Sequence, residues 1–187
     1  LTFLSKTQKS TVNLLTNHSF ENSGYVSFTA FDETELSASG TFSNEIYFIG
    51  SRSYKITIPE DSDSSRAFGY FSAYLEGGKT YTLSAYVNTK DMVSADKGAS
   101  VAVIGSEHIY ESEYITESKD NWQRLYVTFT PSLSENVNVG MSVSGATGSV
   151  YFDNIQLEIG GISDYNILEN AGLENSTDLN PDYWCEV

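Results

Sequence analysis

The chain has 187 residues, and its 25 acidic and 10 basic side chains give it a formal net charge of −15. This charge excludes nucleic acid as a partner, because phosphates are neutralised by a basic surface, and it disfavours anionic lipid surfaces. Neutral ligands and cations remain as partners. Because no apolar run reaches the length of a membrane-spanning helix, we expect no membrane insertion. The single cysteine, Cys185, leaves the main body without a disulfide or a thiolate zinc site.

The chain opens with a phrase that it repeats near its end. Residues 13–23 read NLLTNHSFENS and residues 166–176 read NILENAGLENS, with six of eleven positions identical. Repetition at a fixed offset is typical of a tandem array, although two asparagine-rich turns can also resemble each other by chance. We therefore predict an N-terminal extension over residues 1–12 and one complete unit over 13–159. Residues 160–187 would then be a linker and the start of a second, truncated repeat.

Strands are predicted throughout the complete unit. Its segments alternate apolar and polar residues or are rich in β-branched and aromatic residues, and we find no convincing helical period. Glycine pairs and Asp-Asn mark turns between the segments. The pattern predicts an all-β fold, an antiparallel jelly-roll β-sandwich. The predicted strands are, in chain order, 24–31, 45–50, 53–58, 68–75, 80–87, 100–105, 124–130, 137–143 and 149–159.

Alternation along three of these strands places several tyrosines on the face opposite to the core. A tyrosine ring is flat and apolar with a polar tip, which suits it to stacking on a sugar ring. The alternative is that these rings form cross-strand pairs that support the sheet, or are covered by a loop. The residues predicted to bind carbohydrate are Tyr70, Tyr86, Asn88, Arg124 and Tyr126.

Five phrases of the unit also occur together in a known family. In chain order they are NLLTNHSFE, GSRSYKI, YLEGGKTYTLSAYV, NWQRLYVTFT and GSVYFDNIQLE, and they span residues 13–158. With these phrases the chain resembles the carbohydrate-binding modules of the family 4, 9 and 22 type. The resemblance implies a galactose-binding-like β-sandwich that binds a polysaccharide and has no catalytic activity of its own.

The resemblance further implies a structural calcium ion between the first and the closing strand. Glu21 and Asp153 would supply carboxylates, and Ser19 and Arg52 would supply backbone carbonyls. The family often has one more acidic residue shortly before Arg52, but here no carboxylate follows Glu45 in that stretch. Calcium takes about six to eight oxygen ligands, and two carboxylates from distant strands would clip the sandwich together. The alternatives are an exposed turn acid for Glu21 and a turn cap for Asp153.

The sequence offers no recognisable catalytic constellation. Its two histidines, His18 and His108, have no serine or cysteine nucleophile at a known spacing, and no phosphate-binding glycine loop is present. We therefore predict that the chain is not an enzyme. It would be a module of a larger secreted or cell-surface protein that binds a neutral polysaccharide or glycan beside neighbouring repeats of the same chain. The alternative is a structural spacer or adhesion repeat without sugar binding.

Overall fold

The computed structural model describes residues 12–31, 38–61, 66–94 and 96–163. This part of the chain contains strands and no helix, and hence no helix that could cross a membrane. The strands are β1 (Ser27–Ala30), β2 (Ser39–Ser43), β3 (Ser53–Ile58), β4 (Arg66–Leu75), β5 (Tyr81–Ser94), β6 (Ala99–Ile104), β7 (Ile109–Glu111), β8 (Gln123–Phe129), β9 (Glu135–Ser144) and β10 (Ala146–Ile159).

The strands form two five-stranded antiparallel sheets. Sheet A has the order β1-β4-β9-β6-β7, and sheet B has the order β2-β3-β10-β5-β8. Each sheet turns one face toward the other, because alternate residues of its strands are apolar. The predicted all-β, antiparallel sandwich is therefore confirmed.

The core lies between the inner faces of the two sheets. Leu83 of β5 and Phe152 of β10 pack from sheet B, while Val139 and Met141 of β9 pack from sheet A. Strand β8 of sheet B also contributes to this core, since Phe129 belongs to it and the side chains of Leu125 and Val127 pack against it.

Phe20, which precedes the first strand, is inserted into the same core. Its ring is fully buried, and its centroid lies 5.8 Å from that of Tyr54 and 6.2 Å from that of Phe71. Tyr54 belongs to sheet B and Phe71 to sheet A, so the opening segment joins the two layers through one aromatic side chain.

One predicted strand is wrong, and two strands were not predicted. Residues 45–50 form a loop rather than a strand, because the backbone N–H groups of Phe48 and Ile49 donate to the Asp153 carboxylate instead of to a neighbouring strand. The unpredicted strands are the short β2 and β7, whose sequences SGTFS and IYE carry little periodic signal.

The opening segment takes the place of β3 beside β10 where β3 ends. Strand β3 pairs with β10 only as far as Phe152. Beyond that point the backbone N–H of Ile155 donates to the His18 carbonyl at 2.9 Å, and the N–H of Leu14 donates to the Leu157 carbonyl at 2.8 Å. The second copy of the opening phrase lies outside the described residues, so the tandem repeat stays a prediction.

Candidate functional site

The structure separates the five residues predicted to bind carbohydrate. Tyr70 lies on β4 in sheet A, whereas Tyr86 and Asn88 lie on β5 and Arg124 and Tyr126 on β8, both in sheet B. All five are on strand positions that face away from the core cluster. The outer faces of a sandwich point in opposite directions. A single ligand therefore cannot contact Tyr70 together with the other four, and the expectation of one shared face is wrong.

Three of the four residues on sheet B already make contacts within the fold. The Tyr86 ring stacks on Phe48 with centroids 4.2 Å apart and planes 20° apart. Asn88 is buried, and its Oδ1 accepts a hydrogen bond from the Lys90 backbone N–H at 3.0 Å. The Arg124 guanidinium donates to Ser84 Oγ at 3.0 Å and lies 5.8 Å from the Tyr86 ring centroid.

Tyr126 is the sheet B residue that presents its ring to solvent, since it is 52% exposed. Thr82 and Ser84 share its outer face, for which cover by a loop was the alternative to an open surface. Both are buried in the structure. Part of the cover comes from Gly160, whose carbonyl accepts a hydrogen bond from Thr82 Oγ1 at 2.7 Å. Alternation alone did not reveal that the chain returns over this sheet.

The outer face of sheet A carries an aromatic platform of two rings, of which Tyr70 alone is partly open to solvent. Phe68 and Tyr70 are two residues apart on β4, and their rings stack with centroids 5.4 Å apart and planes 13° apart. Phe68 is buried, Tyr70 is half-buried, and Tyr74 further along the strand is 63% exposed. Stacked rings hold each other in a fixed orientation, so the platform is preformed.

Small residues lie beside this platform. The strand register pairs Tyr70 with Gly140 of β9, Gly140 with Ala102 of β6, and Ala102 with Glu111 of β7. Residues in register across a sheet point to the same face. The row therefore has a tyrosine at one end, a carboxylate at the other, and no side chain larger than a methyl group between them.

The carboxylate of Glu111 is held by three donors. Arg66 Nη2 donates to Oε1 at 3.0 Å, and Ser100 Oγ donates to the same oxygen at 2.7 Å. The Tyr114 hydroxyl donates to Oε2 at 2.6 Å. Burial, together with this hydrogen bond, raises the pKa of Tyr114 to about 12, so the phenol keeps its proton at neutral pH. Such a network holds polar groups in fixed orientations.

Sequence reasoning missed Arg66 and Glu111 as members of this face. A signal was present for Arg66, because it shares the alternation of Phe68 and Tyr70 along β4. The guanidinium carbon lies 5.6 Å from the Phe68 ring centroid, and Nε donates to Ser142 Oγ at 2.9 Å. No comparable signal marked Glu111, which lies in the unpredicted strand β7.

The two carboxylates predicted to bind calcium converge on one loop, residues 44–52. Asp153 accepts from the backbone N–H of Phe48 at 2.7 Å and of Ile49 at 3.2 Å. Glu21 accepts from the Ser51 backbone N–H at 3.0 Å and from its hydroxyl at 2.7 Å. The opening segment and the closing strand are thus clipped to the same short stretch of chain.

The ionised form of the Asp153 carboxyl is destabilised in this position. Burial raises its pKa to about 7 from an ordinary value of 3.8; the negative charge of Glu21 raises it further, and the backbone N–H groups of Phe48, Ile49 and Asn154 oppose the rise. A cation beside both carboxylates would offset the burial and the repulsion. This pair therefore fits a hard cation such as calcium.

The other two predicted ligands lie beside the pair. Arg52 follows the loop, and its backbone N–H donates to Glu21 Oε1 at 3.1 Å. Ser19 lies in the turn that precedes Phe20. Within the described ranges no three His, Cys, Asp or Glu side chains form a metal-binding group. Backbone carbonyls or water would therefore have to complete the coordination.

A family comparison identifies the class of protein. The family described as carbohydrate binding domain matches residues 12–149, and the match covers most of the two sheets. The chain belongs to this family. The resemblance found in the sequence is thereby confirmed, and the chain is a carbohydrate-binding module.

Solved structures share the module's fold. The CBM22-1 xylan-binding domain from Paenibacillus barcinonensis Xyn10C superposes with a TM-score of 0.56 at 16% identity, covering 83% of this chain and 99% of that chain. A cyclase from Fischerella sp. TAU gives 0.58 at 14% identity, covering 81% and 98%. The enzymatically active domain of Bacteriophage CBA120 tailspike protein 4 gives 0.59 at 13% identity, covering 79% of this chain and 21% of that one. The chain thus spans about a fifth of the tailspike chain.

Because all the identities are low, these likenesses establish the fold of the module and do not establish its ligand. No curated protein sequence matches the chain. The same sandwich occurs in a xylan-binding domain and in a cyclase, so the assignment of a ligand depends on the site itself.

Proposed function

We propose that this module binds a neutral glycan across the outer face of sheet A and has no catalytic activity of its own. The row from Tyr70 through Gly140 and Ala102 to Glu111 carries the proposal. A sugar ring has an apolar face and an equatorial rim of hydroxyl groups. One sugar ring would stack on the half-buried tyrosine, and a neighbouring ring of the same chain would hydrogen-bond to the groups around Glu111, while Gly140 and Ala102 between them are buried.

The remaining part of this face would hold further sugar residues of a chain. Ser72 and Asn138 are in register beside the row and are hydrogen-bonded to each other at 3.3 Å between Oγ and Oδ1. Tyr74, one strand repeat beyond Ser72, is the most exposed ring of β4. Neutral rings suit this strongly acidic chain, because a net charge of −15 repels an anionic polysaccharide.

One structural neighbour supports a polysaccharide of this kind. The domain from Paenibacillus barcinonensis is described as xylan-binding, and xylan is a polysaccharide whose backbone is neutral. We propose that the module is part of a larger secreted or cell-surface protein, where polysaccharides are met. Neighbouring repeats of the same chain are also proposed, on the basis of the repeated opening phrase.

Sheet B offers a second candidate position for a glycan. Tyr126 is exposed there, but Tyr86, Asn88 and Arg124 beside it are engaged in the fold as described above. Binding on this face would need those contacts to be exchanged for contacts with the sugar. The groups of sheet A are engaged in the fold as well, but there the exposed Tyr74 lies on the same strand as Tyr70, so we place the principal site on sheet A and use Tyr126 as the matched comparison.

The test is affinity electrophoresis in gels containing xylan, β-glucan or mannan. Wild type and Tyr126→Ala should be retarded by at least one of these polysaccharides. Tyr70→Ala should lose about tenfold in affinity, which corresponds to about 1.4 kcal/mol for one lost stacking contact. Loss in Tyr126→Ala with retention in Tyr70→Ala would move the site to sheet B. The absence of retardation in every gel would favour the spacer or adhesion repeat.

We further propose a structural calcium ion held by Glu21 and Asp153, with Ser19 and Arg52 contributing backbone carbonyls. The ion would neutralise the two carboxylates and tie the opening segment to β10. A ligand at about a hundred times its Kd stabilises the folded state by about 2.7 kcal/mol. For a domain of this size we expect the unfolding temperature to rise by about 5–10 °C with calcium. The rise should vanish with a chelator and in Asp153→Ala; an equal unfolding temperature with calcium and with chelator would contradict the proposal.

A further inference from the structure

The chain does not leave the sandwich where β10 ends. The last register pair of β10 and β5 joins Ile159 with Tyr81. Beyond it the backbone N–H of Gly160 donates to the Thr80 carbonyl at 2.7 Å, and Thr82 Oγ1 donates to the Gly160 carbonyl at 2.7 Å. The expected linker therefore starts as a continuation of the sheet.

Ser163 is then fixed on the outer face of sheet B. Its backbone N–H donates to Glu158 Oε1 at 2.9 Å, and its hydroxyl donates to the other oxygen of the same carboxylate. Arg124 Nη1 donates to the Ser163 carbonyl at 2.7 Å, and Gln156 Nε2 donates to its hydroxyl oxygen at 3.3 Å. Four hydrogen bonds thus join Ser163 to the side chains of three residues of sheet B.

Two of the side chains that bind Ser163 are buried polar groups, which need hydrogen-bond partners within the fold. Glu158 and Gln156 are fully buried, although they lie on the outer face of their strand. A buried carboxylate is costly unless hydrogen bonds compensate for its lost hydration. Ser163 supplies two such bonds to Glu158. Residues 160–163 are therefore a structural part of the module rather than a free linker.

The chain also enters the module in sheet B. Asn13 Nδ2 donates to the Ile155 carbonyl at 2.9 Å, and Asn13 Oδ1 accepts from the Leu157 backbone N–H at 3.0 Å. Entry and exit are thus both anchored to β10, and the contacts of Gly160 and Ser163 lie on β5, β8 and β10 of the same sheet.

We propose that residues 160–163 form an exit clasp, which anchors the following polypeptide to the outer face of sheet B. The clasp fixes residue 163 on the same sheet that holds Asn13 through β10. The position from which the polypeptide continues is then set by the clasp and does not vary as it would with a flexible linker. The clasp does not depend on the proposed glycan site.

Amide hydrogen exchange of the full 187-residue chain, followed by NMR, tests the clasp. The Gly160 and Ser163 amides should exchange at least about a hundredfold more slowly than in an unstructured peptide. Arg124→Met removes the donor to the Ser163 carbonyl and should lower the protection of the Ser163 amide about tenfold, while the Leu157 amide keeps its protection. Tyr126→Ala, on the same strand and exposed, should change neither amide and serves as the control.

Free-peptide exchange rates at Gly160 and Ser163 in the wild type would overturn the proposal, as would an equal loss in Arg124→Met and Tyr126→Ala. If Arg124→Met unfolds the whole chain, Ser163→Gly provides the second variant, because it removes the hydroxyl contacts and frees the backbone while it keeps the N–H and the carbonyl of residue 163. In this variant the amide of residue 163 should still lose protection relative to the Leu157 amide, and unchanged protection would contradict the clasp. Retardation of Ser163→Gly in polysaccharide gels is measured separately. If the wild-type amides of Gly160 and Ser163 are protected but no polysaccharide retards the chain, only the glycan site is refuted.

Discussion

At the scale of single residues, two carboxylates determine the shape of the loop over residues 44–52. Glu21 and Asp153 accept hydrogen bonds from backbone N–H groups of this loop, so these N–H groups do not pair with a neighbouring strand. Gly50 makes the approach of Glu21 possible. It has a φ of +80°, and a Cβ placed on it would collide with Glu21 Oε1.

Gly50→Ala should therefore displace the Glu21 carboxylate. Gly78→Ala is the matched control, since Gly78 has a φ of +79° and nothing within 4 Å of an added Cβ. Each variant should lose about 1 kcal/mol of stability from the unfavourable backbone conformation. Only Gly50→Ala should also lose the calcium-dependent rise in unfolding temperature. Calorimetry with calcium and with chelator measures both effects, and a full calcium response in Gly50→Ala would show that Glu21 is not a ligand.

The raised pKa of Asp153 predicts a pH dependence of the metal-free chain. Its pKa is about 7 in the folded state, against an ordinary value of 3.8. Between these values the folded state binds more protons than the unfolded state, so the stability from this group falls as pH rises and levels off above about pH 7. In chelator, Asp153→Asn should show a flatter fall than wild type in urea unfolding between about pH 5 and pH 7.5. Parallel pH profiles would contradict the assignment.

At the scale of elements, periodicity predicted the long strands well because their inner faces are continuous and apolar. Strand β10 needs Val150, Phe152, Ile155 and Leu157 inside, and this run is visible in the sequence. Residues 45–50 misled the prediction, since EIYFIG has the composition of a strand but its N–H groups bind Asp153 from a distance of about a hundred residues. Such a long-range partner has no local signature.

Faces were harder to predict than strands. Alternation correctly separated inner from outer positions on β5 and β8, but it could not assign Tyr70 and Tyr86 to different sheets, because strand order depends on pairing across the whole chain. The cover of the sheet B face by residues 160–163 was invisible for the same reason. Glu21 and Asp153, which the family resemblance paired, both bind the loop over residues 44–52, a long-range relation that periodicity does not reveal; their role as calcium ligands stays a prediction.

The opening segment is joined to both sheets by one ring, which gives a prediction at this scale. Phe20→Ala should cost about 3–5 kcal/mol, because it leaves a cavity between Tyr54 and Phe71. Phe20→Leu, which refills part of that space, should cost less. Urea unfolding of both variants measures the difference. Equal and small losses would show that the opening segment packs independently of the core.

At the scale of the whole molecule, the sandwich divides its tasks between its two sheets. Sheet B holds the described opening segment, Asp153 of the carboxylate pair and residues 160–163, so part of its outer face is used for structure. Sheet A carries the platform of Phe68 and Tyr70 and the row that ends at Glu111. Under the proposed function, recognition belongs to sheet A, and its outer face is the surface on which a glycan should be found.

The most direct test of this account is a two-dimensional NMR titration of the full chain with soluble oligosaccharides prepared from a polysaccharide that retards it in gels. The account predicts that the shifted amides lie along β4, β9 and β6, centred on Tyr70, Ala102 and Gly140. Shifts centred instead on Tyr126 and the neighbouring residues of sheet B would contradict it.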